Sequence, residues 1–141
     1  MKRTANAVWS GGLKEGKGFF STGSEAIQDL PYSFRTRFED QPGTNPEELI
    51  AAAHASCFSM ALSAQLGNAG LTADRIETTA TVTMVPVDGA PTITSSHLVV
   101  VAKVPGATEE AFMTAANDAK KGCPISRVLN TEITMDARLT D

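Results

Sequence analysis

From Thr44 to Asn68 the chain reads T-N-P-E-E-L-I-A-A-A-H-A-S-C-F-S-M-A-L-S-A-Q-L-G-N, and this stretch constrains everything around it. Its pattern predicts one long helix. Asn45 is placed to cap the first free backbone N–H groups, and Pro46 stands at the first helical position, where its missing N–H costs nothing. Glu47 and Glu48 put two carboxylates in the first turn, where the helix dipole favours negative charge. Glu48 also lies three residues after Asn45, the spacing of a capping box. Gly67-Asn68-Ala69-Gly70 is a stop signal.

The rest of the chain supplies surfaces to bury this helix. Residues 4–10 and 17–22 read as strands, and 32–39 (Y-S-F-R-T-R-F-E) alternates Tyr32, Phe34, Thr36 and Phe38 against Ser33, Arg35, Arg37 and Glu39. Strands are expected at 75–85 and 92–104, joined through V-P-V-D-G-A-P, and again at about 132–139. A second helix is expected at 108–121, capped by Thr108. A short one follows, with Cys123 at its cap and Pro124 at its first position. The fold class is therefore α+β, a single domain over 1–141 with antiparallel sheets packed around two main helices. The net charge of −4 argues against a general partner for nucleic acid or anionic membranes. No apolar run is read as approaching the roughly 18–20 residues needed to span a bilayer. The start, M-K-R-T-A-N-A-V-W-S, lacks the apolar stretch of a signal peptide, so a cytoplasmic location is expected.

The chain has two cysteines. Core filling is the plain account of Cys57, a lone thiol in an Ala-rich helix. It lies too deep in that helix for the N-terminus to lower its pKa, so a reactive thiolate there needs an outside cation. Arg35 and Arg37 are the sources at hand, though taken alone a solvated strand face is the plainer account of them. Cys123 differs: before Pro124 and after Gly122, it sits where backbone N–H groups favour a thiolate, unless it is an ordinary cap residue. His54 and Cys57, at i and i+3, are too few for a metal site, and none is expected. Glu47 precedes Cys57 by ten residues, about 15 Å of helix rise, so the two cannot meet on one straight helix. Two copies crossing antiparallel near Ala52 would bring each Glu47 to the other chain's Cys57 and make an isologous dimer. The simpler account is that Glu47 only decorates the helix start.

Taken together, T-R-F-E at 36–39, G-T-N-P-E-E-L-I-A-A-A-H-A-S-C-F-S-M-A-L at 43–62 and G-C-P-I-S at 122–126 resemble the OsmC/Ohr family of thiol-dependent organic hydroperoxide reductases, in its OsmC branch. The resemblance runs over essentially the whole chain. It implies an OsmC-like fold, an intertwined homodimer, a place in oxidative and osmotic stress responses, and no metal or organic cofactor. By the same resemblance Cys57 matches the peroxidatic cysteine and Cys123 the resolving one. Arg37 matches the arginine that stabilises thiolate and peroxide, and Glu47 the glutamate that orients it, across the dimer. Arg35 is the alternative arginine; the Gly11-Gly12 region, where the Ohr branch places one, has none. His54 matches a histidine of the OsmC branch, read as packed or interfacial rather than as a base. The implied reductant is an external dithiol, a lipoylated protein or dihydrolipoamide. Phe19, Phe20, Phe38, Leu49, Phe58 and Met60 are candidates for an apolar substrate pocket. The competing readings are a non-catalytic small-molecule binder and a disulfide redox switch.

Overall fold

Two aromatic rings close over Gly18 in the middle of the first sheet, and only a residue without a side chain fits beneath them. The computed structural model describes residues 1–141, divided into one unit over Met1–Leu49 and a second over Ile50–Asp141. In the first, β1 (Ala5–Ser10), β2 (Lys17–Thr22) and β3 (Leu30–Tyr32) form an antiparallel sheet in that order. Gly18 pairs with Trp9 on one side and Tyr32 on the other. The Trp9 and Tyr32 rings stand 5.5 Å apart, and Phe20 lies 6.0 Å from Tyr32. A Cβ on Gly18 would run into the Tyr32 ring and come within 2.8 Å of Trp9.

The segment expected to be a strand over 32–39 is instead a short helix, α1 (Phe34–Phe38), after the brief β3. Ser33 and Thr36 decide it by a reciprocal capping box. The Ser33 hydroxyl accepts from the Thr36 N–H at 3.2 Å, and the Ser33 N–H donates to the Thr36 hydroxyl at 3.0 Å. Phe34 and Phe38, four residues apart, then meet with ring centroids at 4.9 Å. Arg35 and Arg37 consequently leave opposite sides of a helix, about 200° apart, rather than one strand face.

The division between the units falls inside α2 (Pro46–Asn68). Its start is as expected at the cap: the Asn45 side-chain oxygen accepts from the Glu48 N–H at 2.8 Å. By length and composition α2 is apolar enough to cross a bilayer, so the expectation that no run approaches this does not hold. Its stripe of His54, Phe58, Leu62 and Leu66 is nonetheless fully buried, which is how a core helix behaves.

In the second unit, β4 (Arg75–Val87) and β5 (Ala90–Lys103) make a long antiparallel hairpin. It turns through Asp88-Gly89, both at positive φ, the conformation a two-residue type I′ turn requires. Next come α3 (Glu109–Gly122), α4 (Pro124–Val128) and β6 (Glu132–Thr140). The strand order is β4-β5-β6, but β6 runs parallel to β5, so this sheet is mixed rather than wholly antiparallel. A parallel neighbour needs a crossover, and α3 with α4 supplies it. The Thr108 hydroxyl caps α3 by accepting from the Ala111 N–H at 3.2 Å. The core joins Phe58, Leu62 and Leu66 of α2, Leu98, Val100 and Ala102 of β5, and Phe112, Ala115, Ala116 and Ala119 of α3.

Gly18→Ala is expected to cost about 1–3 kcal/mol in urea denaturation because a packed ring must move. Gly12→Ala, whose added carbon meets nothing within 4 Å, is expected to stay within about 0.5 kcal/mol.

Candidate active site

In the first unit an arginine and a glutamate are locked together. The Arg37 Nε lies 3.2 Å from both Glu47 carboxylate oxygens, and its Nη2 donates to Oε1 at 2.7 Å. The guanidinium also stands 5.0 Å from the centre of the Phe38 ring. Asn45 makes this pairing possible. While its oxygen caps α2, its Nδ2 donates to the Thr36 carbonyl at 3.1 Å, tying the end of α1 to the first turn of α2. Within the single chain Glu47 thus holds Arg37 of its own chain. Arg35 makes only a 4.0 Å contact to Glu39, with both side chains well exposed.

A cavity of about 440 Å³ in the same unit is bordered by Lys14, Phe19, Tyr32, Arg35 and Thr36 among others. Of the six apolar pocket candidates, Phe19 borders it. Phe20 packs on Tyr32, Phe38 lies by Arg37, and Leu49 is half-buried in α2. In the second unit, Met60 is 76% exposed, while Phe58 is wholly buried in the core, four residues along the inward stripe from His54.

Both cysteines lie in the second unit. Cys57 of α2 and Cys123 at the start of α4 are both free thiols within hydrogen-bonding reach of each other. Cys57 is half-buried and Cys123 completely buried. Although Cys123 is the cap residue of α4, its side chain makes no capping bond. Burial pushes the Cys57 thiol above its ordinary pKa, and the hydrogen bond and charge of Cys123 push the same way. A bond from the Ile125 backbone N–H opposes them. This packing alone favours the protonated thiol, so a reactive thiolate needs a cation in addition.

One turn before Cys57, His54 is fully buried with both ring nitrogens occupied. Nδ1 is 2.7 Å from the Ser96 hydroxyl on β5, and Nε2 is 2.9 Å from the Ser126 hydroxyl on α4. With both nitrogens engaged by serines, the ring is not free to act as a base toward Cys57. Burial lowers its pKa and keeps it neutral. Ser96, Ser126 and the Ile125 N–H had not been singled out in the sequence. The one available hint was the pair of three-residue spacings, His54 to Cys57 and Cys123 to Ser126.

A family model described as OsmC-like protein matches residues 38–138. The peroxiredoxin OsmC of Escherichia coli K12 is 50% identical over 139 residues, covering 99% of this chain and 97% of the relative. Among solved structures, an OsmC-like protein of unknown function from Vibrio cholerae aligns with a TM-score of 0.78 at 14% identity, covering 98% of this chain and 99% of the other. The organic hydroperoxide resistance protein OhrB of Bacillus subtilis aligns at 0.70 with 23% identity, covering 96% and 98%.

The neutral His54 carries a pH dependence of known sign. Its folded pKa lies below the unfolded value of about 6.5, so between the two the unfolded chain binds more protons. Stability is therefore full above about 6.5 and falls as the pH drops below it. Urea denaturation at a series of pH values is expected to show this slope, and His54→Gln is expected to flatten it.

Proposed function

The chain belongs to the OsmC-like protein family, and on that premise we propose that it is a thiol-dependent peroxidase reducing organic hydroperoxides to alcohols. The observation that carries this reading is the pair of free thiols, Cys57 and Cys123, held within hydrogen-bonding reach with Cys57 the more exposed. The Cys57 thiolate attacks the terminal peroxide oxygen. An S–O bond forms, the O–O bond breaks, and the leaving alkoxide takes a proton to become the alcohol, so that Cys57 is oxidised to a sulfenic acid. The Cys123 thiol then attacks the Cys57 sulfur. The S–S bond forms, the S–O bond breaks, and the oxygen departs with the Cys123 proton as water. An external dithiol, such as a lipoylated protein or dihydrolipoamide, returns both sulfurs to thiols and is itself oxidised to a disulfide.

Arg37 is the proposed cation. Glu47 engages its Nε and Nη2 and fixes the guanidinium plane, which leaves donors over for a thiolate and a peroxide oxygen. We assign this arginine–glutamate unit to the Cys57 of the partner subunit in a homodimer, since about 15 Å of helix rise separates Glu47 from Cys57 in one chain. An unpartnered face of α2 is consistent with such a dimer: Ala52, Ala53, Ser56 and Met60 are exposed in the single chain. Ser56 donates back to the Ala52 carbonyl at 2.8 Å, so its hydroxyl needs no partner there. The whole chain then works as one functional domain, in the cytoplasm, without metal or cofactor. Phe19 and Phe38 are the exposed aromatic residues proposed to favour an alkyl or lipid hydroperoxide over H₂O₂.

Steady-state assays with an alkyl hydroperoxide and H₂O₂, each with a lipoyl dithiol and a monothiol, test the reading. Cys57→Ser is expected to abolish turnover, and Cys123→Ser to consume one equivalent of peroxide and stop. Undiminished turnover by Cys57→Ser would refute the assignment. Removing the positive charge removes what favours the thiolate, so Arg37→Met is expected to move the acid limb of the pH–rate profile, where activity rises as the thiol ionises, to higher pH. The rate at neutral pH should fall by about tenfold or more.

A further inference from the structure

Three contacts join α2 to the α4 segment: the Ile125 N–H meets Cys57, and two side-chain pairs run in register beside it. His54 meets Ser126, and three residues on along α2 and three back along α4, Cys57 meets Cys123. The helical segments therefore lie antiparallel with a hydrogen-bonded rung directly beside the thiol rung. A helix of five residues such as α4 holds no register by itself. Its own backbone bonds, Arg127 N–H to the Cys123 carbonyl and Leu129 N–H to the Ile125 carbonyl, shape the turn without fixing how it faces α2. A one-residue slip would rotate Cys123 by about 100° and take its Cβ out of the narrow range a disulfide tolerates.

We propose that His54 is a positioning residue for disulfide formation: through Ser126 it holds Cys123 opposite Cys57. The inference rests on the peroxidase reading for its place in turnover, but the positioning itself needs no peroxide. An imidazole suits the task because it is rigid and two-sided. The Ser96 hydroxyl on β5 satisfies Nδ1, and Nε2 meets the Ser126 hydroxyl on α4. A neutral ring offers one donor and one acceptor, and either arrangement is matched by hydroxyls that do both. All three groups are buried, so breaking either bond leaves a polar atom without water. A residue that only filled space would need neither nitrogen.

The test compares the wild type with Ser126→Ala and His54→Phe, which cut the same bond from opposite ends, and with Ser96→Ala, which leaves it in place. After one equivalent of alkyl hydroperoxide, oxidation of Cys57 is expected at the wild-type rate in all four. Disulfide formation is expected to slow by about tenfold to a hundredfold in Ser126→Ala and His54→Phe, the scale of a small misplacement of reacting groups. Excess peroxide should then convert Cys57 to sulfinic acid in these two variants while the wild type still closes its disulfide. In a glutathione redox buffer, the equilibrium constant for the Cys57–Cys123 disulfide should fall by about tenfold in the same two. Wild-type disulfide formation in either folded variant overturns the inference. So does an equal loss in Ser96→Ala at matched stability, which would assign the effect to packing. If the wild type forms no sulfenic acid, the peroxidase reading fails, and the redox-buffer comparison still decides the positioning.

Discussion

A helix can turn only one stripe toward a given neighbour, and α2 commits its inward stripe to His54, Phe58, Leu62 and Leu66. The apolar members are each worth about 1.5–3 kcal/mol when fully buried, and they pack against the inner face of β5 and the alanine face of α3. That commitment fixes the angle of the whole helix. Cys57, next to Phe58, therefore lies at the edge of the stripe. It is close enough to the core for burial to raise its pKa, and far enough out to be half-exposed. The behaviour of the thiol is a by-product of where Phe58 has to go.

The arginine is fixed by an equally local circumstance. One asparagine side chain caps α2 with its oxygen and holds the α1 carbonyl of Thr36 with its nitrogen, so Arg37 and Glu47 are brought together by the turn between them. The resulting ion pair is bidentate and partly buried, the kind in which geometry counts for more than charge alone. A guanidinium already held in its plane loses less freedom when it meets an oxygen or a sulfur.

Most element boundaries were legible because they rest on single residues with one conformational meaning. Asn45 and Pro46 open α2, Asp88-Gly89 turns the hairpin, Thr108 caps α3, and Cys123-Pro124 opens α4. The stretch 32–39 was misread because so few residues satisfy both a period of two and a four-residue spacing. The Ser33–Thr36 capping box settled it, and that signal was present in the sequence. The parallel direction of β6 was not readable, since alternation is the same whichever way a strand runs. Both cysteines, Arg37 and Glu47 stood out through cap positions and a matching family pattern. The His54 network did not, because its serines lie 42 and 72 residues away and hydroxyls carry no periodic signal.

The unequal burial of the two thiols gives a bond between them a direction. A reductant in solution can approach Cys57, while Cys123 presents no surface at all. Attack on a disulfide requires the incoming thiolate to lie in line with the bond, on the side away from the sulfur that leaves. In such a bond Cys57 would thus be the sulfur that receives the reductant, and Cys123 the one released. The mixed disulfide would form on α2, and the buried cysteine would regain its thiol without ever meeting the solvent.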